Sequence, residues 1–544
     1  MKVWQEQRLT GNRLTDAYLS GADGARKLYD HMTCDEGFIP ERVSQLDEWF
    51  DVSRRRSLVA ALRDYTQSVT GLNEMTTNLL DKLSDARCLT VVTGQQAGLF
   101  TGPLFTVYKA LSAVQYAKHY ETVTGRPVVP VFWIATEDHD FDEVASAYYV
   151  SQQGTVKRAH LRERPPLRTP VGVHVISDAE YTRILGELSN FLPDGMYKED
   201  LLGRLAHAHH RSVNMGELFA KVLSDWLRDV PILILDPSRL SFRQIVRDAF
   251  AKVLADPRTF RDAAIEGSSR VSDCGFTPQV QVQPDHSLLY LIEGGRRSAL
   301  DIDPYVADRY VLRDTKQTFT RDELLDRLEA SPDHFSAGVL YRPVVQDHLL
   351  PVLAYVGGAA EVSYHGMMKE IFAAASRAVP PLHLRQRVML VPDRVQRILE
   401  HHRLSLKDAL SRDILKDLVE TEVAPTINEM ISRLEIEMLS DLEETRPYWL
   451  EMDETMEKAL QRTRDAISRD LNRLRNRAHR AMQIRHSDVV TAMTAVSSWL
   501  RPEGEEQERV LSPLSVIAKY GYGWIGELLS QDLTPWDQIT YMQW

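Results

Sequence analysis

The chain has 544 residues, 43% of them hydrophobic and 26% charged, with a formal net charge of -12. That length exceeds what one hydrophobic core serves and points to two or three domains. The acidic balance argues against a general nucleic-acid binder. Three cysteines, Cys34, Cys88 and Cys274, lie far apart without C-x-x-C spacing, which excludes a disulfide framework or an all-cysteine metal site and fits a reducing cytoplasm. The opening MKVWQEQRLTGNRL has no apolar signal core, and no run of about 18 apolar residues occurs. A soluble cytoplasmic protein without membrane contact is expected.

Residues 1–86 read as helical and irregular. Leu58, Leu62 and Tyr65, then Leu72, Met75, Leu79 and Leu83, have the spacing of amphipathic helices that pack around a sheet. The organising stretch follows. A strand over 88–93 (CLTVVT) leads into GQQAGLFTGP, and a helix opens at Pro103 with Thr101 or Gly102 as its cap. Leu104, Val107, Tyr108, Leu111 and Val114 form its apolar stripe. Gly125-Arg126-Pro127 then turns into a strand over 128–135 (VVPVFWIA) that ends in TEDHDFDE. Strands without polar alternation suit a parallel sheet covered by helices on both faces. Ligands of such sheets sit beyond the carboxyl ends of the strands.

Residues 151–335 read as an α+β insertion. It holds a helix over 214–229, a buried strand over 231–236 (PILILD), and an antiparallel hairpin of 279–283 with 287–292, ended by Gly294-Gly295. Core-like patterning returns over 339–391 in VLYRPVVQ, in LLPVLAYVGG, in a helix over about 362–375 and in an extended stretch over 382–391. From 392 to 500 glycine is absent. Ile427, Ile431, Leu434, Met438 and Leu442, and beyond a break at Arg446-Pro447 also Met452, Met456, Ala459, Ile467, Leu471, Leu474, Ala478 and Met482, make a narrow apolar seam. Such a seam predicts an antiparallel coiled-coil hairpin, a common dimerisation device. Residues 501–544, with Trp524, Trp536, Tyr541 and Trp544, are expected to dock back on the core near the hairpin base.

Three stretches carry residues fit for chemistry. In Gly94-Gln95-Gln96-Ala97-Gly98 the glycines permit close backbone approach, the amides suit an anion, and Gln95 and Gln96 add side-chain donors and acceptors. The spacing matches neither the dinucleotide fingerprint nor the P-loop, and a tight turn needing positive φ is the plainer reading. Residues 137–143 bring five carboxylates and His139 to one strand end. Like charges raise one another's pKa, and such crowding is more often functional than structural. His139 suits a general acid, a general base or a phosphate contact, with Asp138 or Asp140 orienting its ring. The same residue types suit a divalent metal, or Asp142 and Glu143 simply cap the next helix. In Tyr355-Val356-Gly357-Gly358-Ala359-Ala360-Glu361, Glu361 is either a first-turn acid matched to the helix dipole or a carboxylate aimed into the cleft to hold a substrate amine. His207, His209 and His210 have no third ligand and read as packing or solvated residues. Cys88 and Cys274 lack an activating base and read as buried thiols.

TGQQAGLFTGPLFTVYKA (93–110), PVFWIATEDHDFDE (130–143), RPVVQD (342–347) and AYVGGAAEVSY (354–364) resemble, in order and spacing, the family of the bacillithiol biosynthesis cysteine-adding enzyme. The resemblance covers essentially the whole chain. It implies a Rossmann-like parallel-sheet core similar to class I aminoacyl-tRNA synthetases, connecting-peptide-type α+β insertions, and a long antiparallel α-helical coiled coil used for homodimerisation. The patterning along the chain places the domains at 1–391 with the insertion at about 151–335, the hairpin at 392–500, and the docking segment at 501–544. The implied reaction joins the carboxyl of cysteine to the amine of glucosaminyl malate. By motif the active cleft would include Gly94, Gln95, Gln96, His139, Asp140, Tyr355, Gly357, Gly358 and Glu361; with the residue chemistry above, catalysis is expected of His139, Asp140 and Asp138 and substrate contact of the others. Where the family often has Pro-Gly before the glutamate, this chain has Ala359-Ala360.

An amine and a carboxylate do not condense unless the carboxylate is activated, and class I synthetases activate with ATP. The chain lacks H-x-G-H and K-M-S-K-S motifs, so ATP is expected by analogy only. Arg385 and Arg387 are the candidates for its phosphates, because a guanidinium holds phosphate in a fork. No metal is expected. Two other readings stay open, a metal-dependent hydrolase built on residues 137–143 and a non-catalytic coiled-coil scaffold.

Overall fold

The computed structural model describes residues 2–33, 36–411, 425–485 and 487–544; Cys34 lies outside them. Five parallel strands make the central sheet: β1 (Leu89–Gln96), β2 (Val128–Ala135), β3 (Leu233–Leu235), β4 (Val352–Gly357) and β5 (Leu382–Leu384), in the order β5-β4-β1-β2-β3. β1 lies at the centre, with Thr93 paired to Val356 on one side and to Phe132 on the other. The crossover from β1 to β2 is helix α1 (Phe105–Thr124), which ends at Gly125 in the left-handed conformation (φ 61°), a common helix stop. α1 is buried on its outer face as well as on the sheet side, because the C-terminal segment covers it; Trp524 meets Tyr108 edge to face at 6.3 Å.

β1 is longer than its sequence pattern suggests and runs through Gln96. Gly94 therefore sits in a strand, where an added Cβ would lie 2.7 Å from the carbonyl of Trp133 on β2. Close strand packing, and not a left-handed turn, requires glycine there. The left-handed residues come later, at Phe100, Thr101 and Gly102. α1 opens at Phe105, beyond Pro103, without a side-chain cap, and the Leu104 amide donates instead to the Leu511 carbonyl at 2.7 Å.

The insertion holds a second, antiparallel sheet of Thr318–Thr320, Arg309–Leu312, Arg296–Ile302, His286–Glu293 and Phe335–Ala337, in that order. The expected hairpin of 279–283 with 287–292 does not form. Its place is taken by His286–Glu293 with Arg296–Ile302, turned at Gly294 and Gly295, both left-handed, as a two-residue hairpin turn demands. Between 151 and 335 the chain also returns to the core once, as edge strand β3 paired with β2. Arg342–Leu349 is a helix with Pro343 in its first turn. The helix expected over 362–375 is two, α2 (Ala359–His365) and Lys369–Ala374, parted at Gly366, which packs so close to Tyr29 that a Cβ would reach its hydroxyl at 2.9 Å. The 382–391 stretch divides between two sheets. After β5, Val388–Val391 joins a three-stranded sheet with Gln538–Gln543 and the N-terminal strand Lys2–Gln7. That N-terminal strand has no counterpart in the sequence reading.

The hairpin comprises α3 (Pro425–Met452) and α4 (Met456–Arg485), antiparallel and tied by Arg446–Glu457, Arg464–Glu443 and Arg475–Glu435 pairs. The turn falls at 453–455. The break expected at Arg446-Pro447 does not occur; exposed Pro447 is carried inside the last turns of α3. Ile431 and Leu471 are buried between the helices, while Leu434, Met452 and Leu474 stay 43%, 76% and 52% exposed. The side chains of Ile427 and Met482 lie outside the described set. The following helix, Ser487–Leu500, returns to the core and buries Met493, Val496 and Leu500. No described helix is long and apolar enough to cross a membrane.

Candidate active site

A cavity of about 480 Å³ opens beyond the carboxyl ends of β1, β2 and β4. Parallel pairing puts Gln95 and Gln96 beside Ile134 and Ala135, so β1 and β2 end at the same level. From these ends Gly94, Gln95, Gln96, Asp138, His139, Tyr355, Gly358 and Glu361 all reach the cavity lining. Asp140, Gly357 and Arg387 do not. Asp140 instead caps the short helix Phe141–Val144 by accepting the Glu143 amide. Gly357 is the last residue of β4, and its missing Cβ makes room for the Glu361 and Tyr355 side chains.

The floor is one buried ion pair. Lys109, on α1, sits 2.5 Å from Glu361 Oε2 and donates to the Gly94 carbonyl (2.8 Å) and Gln95 Oε1 (2.9 Å). Glu361 Oε2 also accepts the Gly358 amide (2.8 Å), and Oε1 accepts the Tyr355 hydroxyl (2.7 Å). Glu361 caps α2 from its third position and also faces the cavity. Burial opposes its charge, but Lys109 and the hydrogen bonds from Gly358 and Tyr355 outweigh it and hold the carboxyl below its ordinary value. Three donors on one carboxylate keep the pair ionised although burial draws the ammonium down.

The acidic stretch 137–143 disperses. Glu137 is ion-paired to buried Arg243. Asp142 is on Arg164. Asp138 Oδ2 and Glu143 Oε2 share Gln96 Nε2, each at 2.7 Å. Burial raises the Glu143 carboxyl. For Asp138 burial is outweighed by Gln96 and Arg297, and its carboxyl lies below the usual range. Among the described residues no three His, Cys, Asp or Glu side chains are grouped to hold a metal ion, so the hydrolase reading has no ligand set to rest on. His209 stacks on Tyr181 at 4.1 Å and bonds the Ile176 carbonyl, as a packing residue does. Cys88 is fully buried, and burial pushes its thiol up to about 12; Cys274 is half-buried.

Arg385 and Arg387 do not offer free forks to a phosphate. Arg385 lines the cavity but is held by both oxygens of Glu508 at 2.7 Å. Arg387 is turned away to the Arg8 carbonyl and Glu506. Two arginines outside the anticipated set stand in the lining without a carboxylate within ion-pair distance among the described residues. Arg297 rises from the antiparallel sheet, and Arg342 bonds the Tyr364 hydroxyl at 3.2 Å. Sequence carried some signal for Arg342 and Tyr364, which fall inside RPVVQD and AYVGGAAEVSY, and for Lys109, which falls inside TGQQAGLFTGPLFTVYKA. For Arg297 it carried none.

Polar side chains gathered at the carboxyl tips of a parallel sheet, with a helical arm projecting elsewhere, define a Rossmann-like enzyme with an appended coiled coil. Two family models match: the Bacillithiol biosynthesis BshC N-terminal Rossmann-like domain over residues 1–386, and the BshC C-terminal coiled-coil domain over 388–540. Three relatives, each named "Putative cysteine ligase BshC", extend the match. The protein of Salinibacter ruber is 32% identical over 84% of this chain and 83% of its own. That of Heliobacterium modesticaldum is 30% identical over 95% of each chain, and that of Halalkalibacterium halodurans 27% identical over 98% of each. A solved Campylobacter jejuni chain described as a "putative arginyl t-RNA synthetase" aligns with 86% of this chain and 99% of its own at 9% identity and a TM-score of 0.25, a score that carries no argument. The chain belongs to the BshC family of bacillithiol biosynthesis.

Proposed function

We propose that the protein is a cysteine ligase that forms an amide between the carboxyl of cysteine and the amine of glucosaminyl malate in the cavity at the strand tips. The observation that carries this reading is the convergence of Gln95, His139 and Glu361, from three parallel strands, on one cavity of about 480 Å³ in a chain matched over residues 1–386 and 388–540 by the family's models. Asp138 is a lining carboxylate held in its charged form, and it suits an ammonium. Arg342, whose fork makes only the Tyr364 bond among the described residues, suits a carboxylate or phosphate, since a buried guanidinium without an anion is costly until one arrives. Ligation needs an activated carboxyl, and ATP is the proposed co-substrate, with Arg342 in the place first assigned to Arg385 and Arg387.

The test is to incubate the protein with cysteine and glucosaminyl malate, with and without ATP, and to weigh the products. A product heavier than glucosaminyl malate by one cysteine residue is expected, and only in the ATP arm. Absence of that mass in both arms overturns the reading.

The coiled coil supports a second copy of the chain as partner. Leu434, Met452 and Leu474 are more than a third exposed along the hairpin, apolar side chains that a second copy would cover. Deleting residues 425–485 should give a monomer by sedimentation; a persisting dimer contradicts the assignment.

A further inference from the structure

His139 is the lining residue most readily cast as the base that deprotonates the attacking amine. Its surroundings are built for something else. A guanidinium donates hydrogen bonds and never accepts them, and Arg297 Nη1 lies 3.2 Å from His139 Nδ1. Nδ1 is therefore the acceptor, and the ring proton of the neutral imidazole belongs to Nε2. Arg297 is not free to turn away. Its Nε donates to Ser336 Oγ at 2.8 Å, its Nη2 to the Ala337 carbonyl at 2.9 Å, and its face lies 3.7 Å from the centre of the Tyr290 ring.

The usual histidine base has the opposite wiring, with Nδ1–H held by a carboxylate and Nε2 bare. Here the nearest carboxylate oxygen, Asp138 Oδ1, is 3.8 Å from Nδ1 and already accepts the His139 backbone amide at 2.7 Å. The other oxygen of Asp138 is taken by Gln96. The charged groups facing the imidazole are Arg297 and Arg168 on one side and Asp138 and Asp140 on the other. Burial, followed by Arg297, prevails over the two carboxylates and keeps the ring neutral.

We propose that Arg297 is a positioning residue that fixes His139 with its proton on Nε2, so that His139 serves the ligation as a neutral hydrogen-bond donor to the acyl oxygen and not as the base. A neutral, pre-oriented N–H stabilises charge that develops on that oxygen without any reorganisation at the moment of reaction. Proton acceptance is left to the carboxylates bridged by Gln96, Asp138 and Glu143. This inference rests on the cavity being the site of amide formation; the tautomer itself does not.

Two measurements decide it. Proton–nitrogen correlation spectra of full-length protein labelled at histidine, with His139 identified by the signal missing from His139→Gln, should show the proton on Nε2 alone near neutral pH. A proton on Nδ1 overturns the proposal whatever the protein catalyses. In the ligation assay His139→Gln, which keeps an N–H close to the position of Nε2, should stay within about 10-fold of the parent, while His139→Ala should lose about 100-fold or more. Equal losses in the two variants overturn the donor role. Arg297→Lys, which keeps the charge but not the fork, should let the Nδ1 tautomer appear in the spectra; an unchanged spectrum removes Arg297 from the account. If the parent protein forms no amide, the ligase reading fails while the spectra still settle the tautomer.

Discussion

The cleft and the coiled-coil hairpin handle charge in opposite ways. In the cleft Lys109 is 4% exposed and Glu361 19%, and each has several partners drawn from different strands and helices. On the hairpin Arg464 and Glu443 are 49% and 54% exposed and face each other across a two-helix seam. Distance alone would rank the pairs as similar. Burial decides, because a desolvated charge without its partner is costly whereas an exposed one returns to water.

The contrast is sharpest when one partner is removed. Lys109→Met strands a buried carboxylate and should cost about 3 kcal/mol or more, read as a lower urea midpoint at unchanged slope. A loss as small as that of a surface lysine would erase the distinction between the two regions. Next in size is Gly94→Ala, whose methyl meets the backbone carbonyl of Trp133 at 2.7 Å and should cost about 2 kcal/mol with β1 and β2 forced apart. Gly186→Ala, in a helix where nothing lies within 4 Å of the added methyl, should instead be neutral or stabilising.

Acid sharpens the comparison further. Glu361 is held below its ordinary value in the folded state, so its contribution is complete above the normal carboxylate range and is lost as pH falls through the folded value. The stability gap between the parent and Glu361→Gln should therefore be widest near neutrality and close as pH falls below the ordinary carboxylate range; a gap constant with pH contradicts the ionised pair. The smallest effect belongs to Arg464→Ala on the hairpin, below about 1 kcal/mol and weaker still in high salt.

How much of this was readable beforehand depends on whether the signal was local. β2 announced itself as an unbroken apolar run, and its bounds of 128 and 135 are those observed. The hairpin announced itself through its spacing, although Pro447 misled about the turn because a proline near an exposed helix end gives up only a hydrogen bond that water replaces. The site was legible where it follows a strand directly, as at Gln95, His139 and Glu361. It was not legible where residues far apart in sequence are brought together. Arg297 reaches His139 only because the antiparallel sheet folds over the strand tips, and no pattern near residue 297 encodes that. Arg385 shows the reverse error, since a basic residue at the expected place was already engaged by Glu508, more than a hundred residues away.

Among the described residues, the strand formed by Lys2–Gln7 pairs only with Gln538–Gln543, which in turn lies along Val388–Val391. On a ribosome the first of these segments emerges long before its neighbour has been made. It must wait, unpaired, through synthesis of the sheet, the insertion and the arm. Closure of the small sheet is therefore a late event in assembly, and it fastens two segments more than five hundred residues apart like a clasp around the finished core.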